Sequence, residues 1–132
     1  MPTQASITVK KNDGTTDITY TAMQPSSGDG VQAIWKSTTV GTAPVHQPEL
    51  RVSARASSGT KREVRWTYVY PEIATNSTTG TTSVVYKERA SVSFEIDTAS
   101  ANISINEGVA QFFNLLASAH AKAITQGGYG PT

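Results

Sequence analysis

The chain has 132 residues, 37% of them apolar, and a formal net charge of +1. That length fits one domain with a modest core, and the near-balanced charge excludes a bulk electrostatic argument for nucleic acid. There is no cysteine, so a disulfide framework, a thiol nucleophile and a cysteine-based metal site are excluded. No run of membrane-spanning length and no signal-peptide core follows Met1, which makes a reducing cytoplasm the expected setting.

Thr, Ser and Val dominate the composition and favour strands. Ser6–Lys10 and Asp17–Thr21 both alternate apolar with polar residues. The Asp13-Gly14 step between them is a strong hairpin signal. Gln24–Gly30 is a loop by composition. Val31–Ser37 reads as a short strand. Thr38–Pro48, with Gly41, Pro44 and Pro48, reads mostly as loop, with two or three strand residues near Val45.

Three long strands follow: Glu49–Ser57, Lys61–Tyr70 and Val84–Ile96. Leu50, Val52 and Ala54 face one way, and Arg51, Ser53 and Arg55 the other. Val64, Trp66, Tyr68 and Tyr70 oppose Glu63, Arg65, Thr67 and Val69. Ala90, Val92, Phe94 and Ile96 oppose Lys87, Arg89, Ser91 and Ser93. The tight turn Ser57–Thr60 makes the first pair antiparallel. Pro71 is expected to end regular pairing, since proline cannot donate to a ladder. Glu72–Ser83, nearly all Thr and Ser, then reads as a long functional or mobile loop.

At Ser104 the period changes. Ser104-x-x-Glu107 forms a capping box. Ile105, Val109, Phe112, Phe113 and Leu116 make one stripe of an amphipathic helix. Ala117–Thr125 either continues this helix or forms a second one, because no proline or glycine marks a break. Gly127-Gly128 stops it. The expected fold is α+β in a single domain, 1–132: an N-terminal hairpin (1–22), an antiparallel meander of about five strands (31–96), a helical region (104–125) and a tail (126–132).

Seven of the eleven basic residues (Arg51, Arg55, Lys61, Arg62, Arg65, Lys87, Arg89) fall within 39 positions. Interleaved with Ser53, Thr67 and Ser91, they suit a wet interface in which cations meet phosphates and hydroxyls meet phosphate or 2′-OH groups. The opposite, apolar face needs a cover. One helix is roughly 10 Å across, whereas five strands span roughly 20–25 Å. The N-terminal hairpin or a second subunit's helix must supply the rest. The last long strand is also a candidate open edge for a two-fold mate.

The order and spacing of these pieces resemble the coat proteins of single-stranded RNA bacteriophages of the levivirus type. The carrying residues are the turn at Asn12-Asp13-Gly14, Gly30-Val31-x-x-Ile34-Trp35-x-Ser37, Arg55-x-Ser57-Ser58 leading to Lys61-Arg62-x-Val64, and Val69-Tyr70-Pro71-x-Ile73-Ala74-Thr75. A Gly/Thr-rich loop, the long strand and the helix with Leu115-Leu116 complete them. The resemblance implies a capsid protein of the virion, made in the bacterial host cytoplasm. It implies a homodimer joined through the last strands, with Val92, Phe94, Phe112, Phe113 and Leu116 at its interface. Dimers would build an icosahedral shell, usually T=3, around single-stranded RNA. The RNA would meet Arg51, Ser53, Arg55, Lys61, Arg65, Thr67, Lys87, Arg89 and Ser91. In well-known members that face also binds an RNA hairpin and represses translation. The loop containing Glu72, Thr75, Asn76, Gly80 and Ser83 would meet its copies between dimers. Arg89 stands where familiar members stack an aromatic ring on a base. Glu49, Glu63 and Glu95 on or near the same face would weaken phosphate contacts.

Other chemistry finds little support. Trp66, Tyr68 and Tyr70 read better as core than as a base-stacking platform, because they oppose Arg65 in parity. His46 and His120 lie far apart, the aspartates lack calcium-loop spacing, and no serine sits in a nucleophile elbow. The expectation is therefore a non-enzyme without cofactor or metal. A dimeric single-stranded nucleic-acid-binding module that does not assemble is the alternative.

Overall fold

Period-two alternation builds six strands: β1 (Ile7–Lys10), β2 (Asp17–Gln24), β3 (Ala33–Lys36), β4 (Glu49–Ala56), β5 (Lys61–Thr75) and β6 (Thr82–Asp97). They form one sheet in chain order, β1 to β6, with two strands from the hairpin and four from the meander. The structure, a computed structural model, describes residues 2–41, 43–99 and 102–132, and the side chains of the last segment from residue 105 onward. The chain divides into a sheet unit reaching to Glu95 and a helical unit from Ile96. Among the described residues no helix is long and apolar enough to cross a membrane.

The first hairpin turns where the Asp-Gly step predicts. Gly14 takes φ 73°, a left-handed conformation that costs glycine little. The Asp13 carboxylate accepts from the backbone N–H of Thr15 and Thr16 and from the Thr16 hydroxyl. The register then sets Ile7 opposite Tyr20 and Val9 opposite Ile18. β2 serves two partners. Its first half pairs with β1, and its second half pairs with β3 through an irregularity between Ala22 and Gln24.

That arrangement lets the hairpin cross the apolar face. In a flat sheet β1 and β5 would lie roughly 19 Å apart, four spacings of about 4.8 Å. Instead Ile7 and Val9 line a cavity of about 210 Å³ together with Tyr20, Leu50 and Tyr68. The Tyr20 and Tyr68 hydroxyls are 2.8 Å apart and their rings 6.2 Å. The hairpin is therefore the cover for this part of the sheet. The core beneath it is small: Tyr20, Ala33 and Trp35 are buried, with Ile18, Leu50, Val52 and Tyr68 packed around them. Trp35 stacks on Trp66 at 6.4 Å and donates its Nε1–H to the Ala5 carbonyl at 2.8 Å.

Several boundaries differ from expectation. The residues near Val45 form a 3₁₀ turn, Pro44–His46, with Pro44 at its start, where a missing N–H is harmless. β5 does not stop at Pro71 but runs to Thr75. β4 ends its pairing at Glu49 opposite Val69, so a proline two residues further on breaks no bond to it. Much of the Thr-rich stretch is strand rather than loop, as β-branched residues prefer. Glu72 and Thr75 belong to β5 and Ser83 to β6. Of the expected loop positions, Asn76 and Gly80 remain in the turn between them. There the Asn76 side chain accepts from the Thr78 N–H, and Gly80 takes φ 70°.

The helical unit holds two helices, α1 (Asn102–Ala117) and α2 (Ala119–Gly127). Because α1 already starts at Asn102, Ser104 sits inside its first turn and is not its cap; the Ser104 side chain lies outside the described residues. The break that sequence left open falls at Ser118, with φ −63° and ψ 150°. Ser118 Oγ donates to the Leu115 carbonyl and accepts from the Ala121 N–H at 3.2 Å. A single serine thus closes one helix and caps the next, with no need of proline or glycine.

Candidate nucleic-acid interface

The β4–β5 register places Arg51 opposite Thr67, Ser53 opposite Arg65 and Arg55 opposite Glu63. Directly opposed residues of an antiparallel pair share a face. β6 joins this face through Ser93, whose hydroxyl donates to Glu63 at 2.7 Å, and through Glu95, 3.0 Å from Lys61. Alternation along β6 then carries Ser91, Arg89 and Lys87 to the same side. All nine residues expected to meet RNA therefore lie on one face. Trp66 and Tyr68 lie on the other, where Leu50 opposes Tyr68 and Val52 opposes Trp66.

Most of the cations on this face already have carboxylate partners. Glu63 holds Arg55 at 2.7 Å and Arg65 at 3.0 Å. Glu49 pairs with Arg51 and, at 3.3 Å, with Lys36. Arg62, which opposes Ala56 on the other side of β5, pairs with Asp29 and adds nothing to this face. The Ser93 hydroxyl, then Arg55 and Arg65, hold the Glu63 carboxyl down at about 2. Burial pushes Glu49 up, but Arg51 and Lys36 outweigh it and leave its pKa below the ordinary value. On the apolar side, burial raises both the Tyr20 and Tyr68 phenols, so that hydroxyl pair is neutral.

Lys87 and Arg89 are different: among the described residues neither has an ion-pair partner. They line a shallow recess of about 270 Å³ together with Lys36, Arg51, Glu49 and Pro71. Four cations against one carboxylate make it the most basic spot on the face. Sequence reading missed Lys36, although its alternation with Trp35 on β3 was a usable signal. It stands opposite Glu49 in the register.

The residues expected at a dimer contact are divided between the two units. Val92 and Phe94 are half-buried on the apolar side of β6. Phe112 and Phe113 meet edge to face on α1, with centroids 5.6 Å apart; Phe113 and Leu116 are exposed. β6 is last in the strand order, so its outer edge has no partner in the sheet.

The carboxylate pairs also set an acid response. The folded-state pKa of Glu63 lies at about 2, below its ordinary 4.5. Its stabilisation is complete above about pH 4.5 and lost as pH falls through about 2. Melting temperature is expected to fall across that window. Glu63→Gln should flatten the fall and lower the neutral-pH value, as read by circular dichroism melts at several pH values.

Comparison with known proteins bears on the whole chain. The family described as "Levivirus coat protein" matches residues 2–126. Among solved structures, the virus-like particle of Beihai levi-like virus 21 superposes with a TM-score of 0.82 at 18% identity, covering 99% of each chain. The virus-like particle of bacteriophage NT-214 gives 0.83 at 15% identity, covering 99% of this chain and 100% of that one. The bacteriophage GA protein capsid gives 0.77 at 19% identity, covering 96% and 95%. At such identities the structural likeness is one of fold. No curated protein sequence matches the chain.

Proposed function

The chain belongs to the levivirus coat protein family and is a structural capsid protein, and we propose that it pairs with a second copy through β6 and assembles into a closed icosahedral shell around single-stranded RNA. The observation that carries this reading is where the unneutralised charge lies. Lys87 and Arg89 sit on β6, the strand whose outer edge is open. Pairing that edge with its two-fold mate sets two basic recesses on one continuous floor and removes an unpaired edge. The RNA phosphates neutralise this floor, and Ser53, Thr67 and Ser91 supply hydrogen bonds between the cations.

The two units also suit an interlocked pair. Exposed Phe113, Leu115 and Leu116 on α1 have apolar surface to bury, and Val92 and Phe94 lie on the sheet's apolar side. The Asn76–Thr81 turn is the part of the subunit assigned to contacts between dimers. Production in the host cytoplasm and repression through an RNA hairpin belong to the same reading, with the recess as the hairpin's place.

Size-exclusion chromatography with electron microscopy of the expressed protein tests it. The expected result is closed particles whose ultraviolet absorbance ratio is that of packaged RNA. Discrete dimers that never form particles would instead support a nucleic-acid-binding module that does not assemble.

A further inference from the structure

We propose, resting on the RNA-face reading above, that Glu63 acts as an internal phosphate mimic that occupies Arg55 and Arg65 and so limits how tightly the face holds RNA. The geometry supports it directly. Glu63 Oε2 accepts from Arg55 Nε at 2.8 Å and lies 2.7 Å from Arg55 Nη2. Its Oε1 accepts from Arg65 Nη2 at 3.0 Å and from the Ser93 hydroxyl at 2.7 Å. The Glu63 side chain is 14% exposed, whereas the two arginine side chains are 60% and 53% exposed. The guanidinium groups thus reach outward while the carboxylate engages them from the floor.

A carboxylate and a phosphate offer a guanidinium the same kind of charged oxygen pair. What Glu63 occupies, an RNA phosphate must either win away or do without. A phosphate that approaches Arg55 or Arg65 also meets the negative charge of Glu63 close behind them. Ser93 makes the mimic harder to displace, because it fixes Oε1 from a third side. Glu49 repeats the device at the recess, where it takes Arg51 and Lys36. Lys87 and Arg89 become the first cations that RNA meets, and the clamped arginines a reserve. A face restrained in this way binds many sequences weakly and lets subunits shift along RNA while a shell is built.

The test is titration of a labelled 20-nucleotide oligouridylate with RNA-free protein over a range of salt concentrations. Glu63→Gln keeps the shape of the side chain but releases two guanidinium groups. If each gains one phosphate, the log–log salt slope steepens by about 1.4, at about 0.7 per phosphate on a single strand. Binding then tightens roughly 25-fold at 0.1 M salt, if the two lines converge near 1 M. Glu49→Gln is expected to act in the same direction and decides the matter should Glu63→Gln not fold. Unchanged or weaker binding with an unchanged or shallower slope overturns the mimic. A Lys87→Ala/Arg89→Ala variant separates the two levels of the argument. If it binds like the wild type, the RNA-face reading itself fails. If it weakens while neither glutamine variant tightens, the internal mimic alone fails.

Discussion

Replacing Lys87 and Arg89 together by alanine is expected to leave a folded protein that packages little RNA. Neither side chain holds an ion pair among the described residues, and both line the basic recess, so their removal breaks no internal bridge of the sheet. Each lost charge-assisted contact to a phosphate costs roughly 1.5–3 kcal/mol. At the low end, which suits exposed side chains, the pair lowers affinity on the order of a hundredfold. Arg65→Ala makes a useful contrast. Arg65 already shares Glu63 with Arg55, so its charge is partly compensated before RNA arrives, and its loss frees Glu63 for Arg55 alone. Packaging should therefore fall much further in the Lys87/Arg89 double variant than in Arg65→Ala. The absorbance ratio of purified particles measures it. Equal RNA content in the two variants would mean that the recess is not the main contact.

This ranking of cations shows where sequence reading reaches and where it stops. The alternation of Arg51, Ser53 and Arg55 against Leu50, Val52 and Ala54 was enough to assign faces, because a strand has only two. Which cations were already paired was not legible. Glu63 meets Ser93 thirty residues away, and that contact depends on the register between β5 and β6. The Asp13-Gly14 turn was legible because its chemistry is local. The hairpin's passage over Leu50 and Tyr68 was one of two open answers, because it depends on the irregularity between Ala22 and Gln24. Pro71 misled in an instructive way. Its missing N–H matters where a neighbouring strand needs it, and β4 has already ended there. Ser118 was readable in principle, as a capping residue at the start of an Ala-rich run, although it is neither glycine nor proline.

Trp35→Ala is expected to leave most of the chain unfolded or insoluble. The buried core of the sheet unit is Tyr20, Ala33 and Trp35, and Trp35 does three things in it. Its ring, 8% exposed, fills the space under the hairpin. It stacks on Trp66, which ties β3 to β5. Its Nε1–H holds the Ala5 carbonyl, which anchors the segment leading into β1. Truncating a buried tryptophan to alanine costs about 3–5 kcal/mol, against a total stability of about 5–15 kcal/mol for a domain. A core this small has few other contacts to absorb the loss. Trp35→Phe separates the ring from the hydrogen bond. It keeps an aromatic in place and gives up the bond to Ala5, at about 1–2 kcal/mol. Urea denaturation should rank wild type above Trp35→Phe, and Trp35→Phe far above Trp35→Ala. Similar midpoints for the phenylalanine and alanine variants would show that the anchor at Ala5, rather than the filled core, holds the hairpin over the sheet.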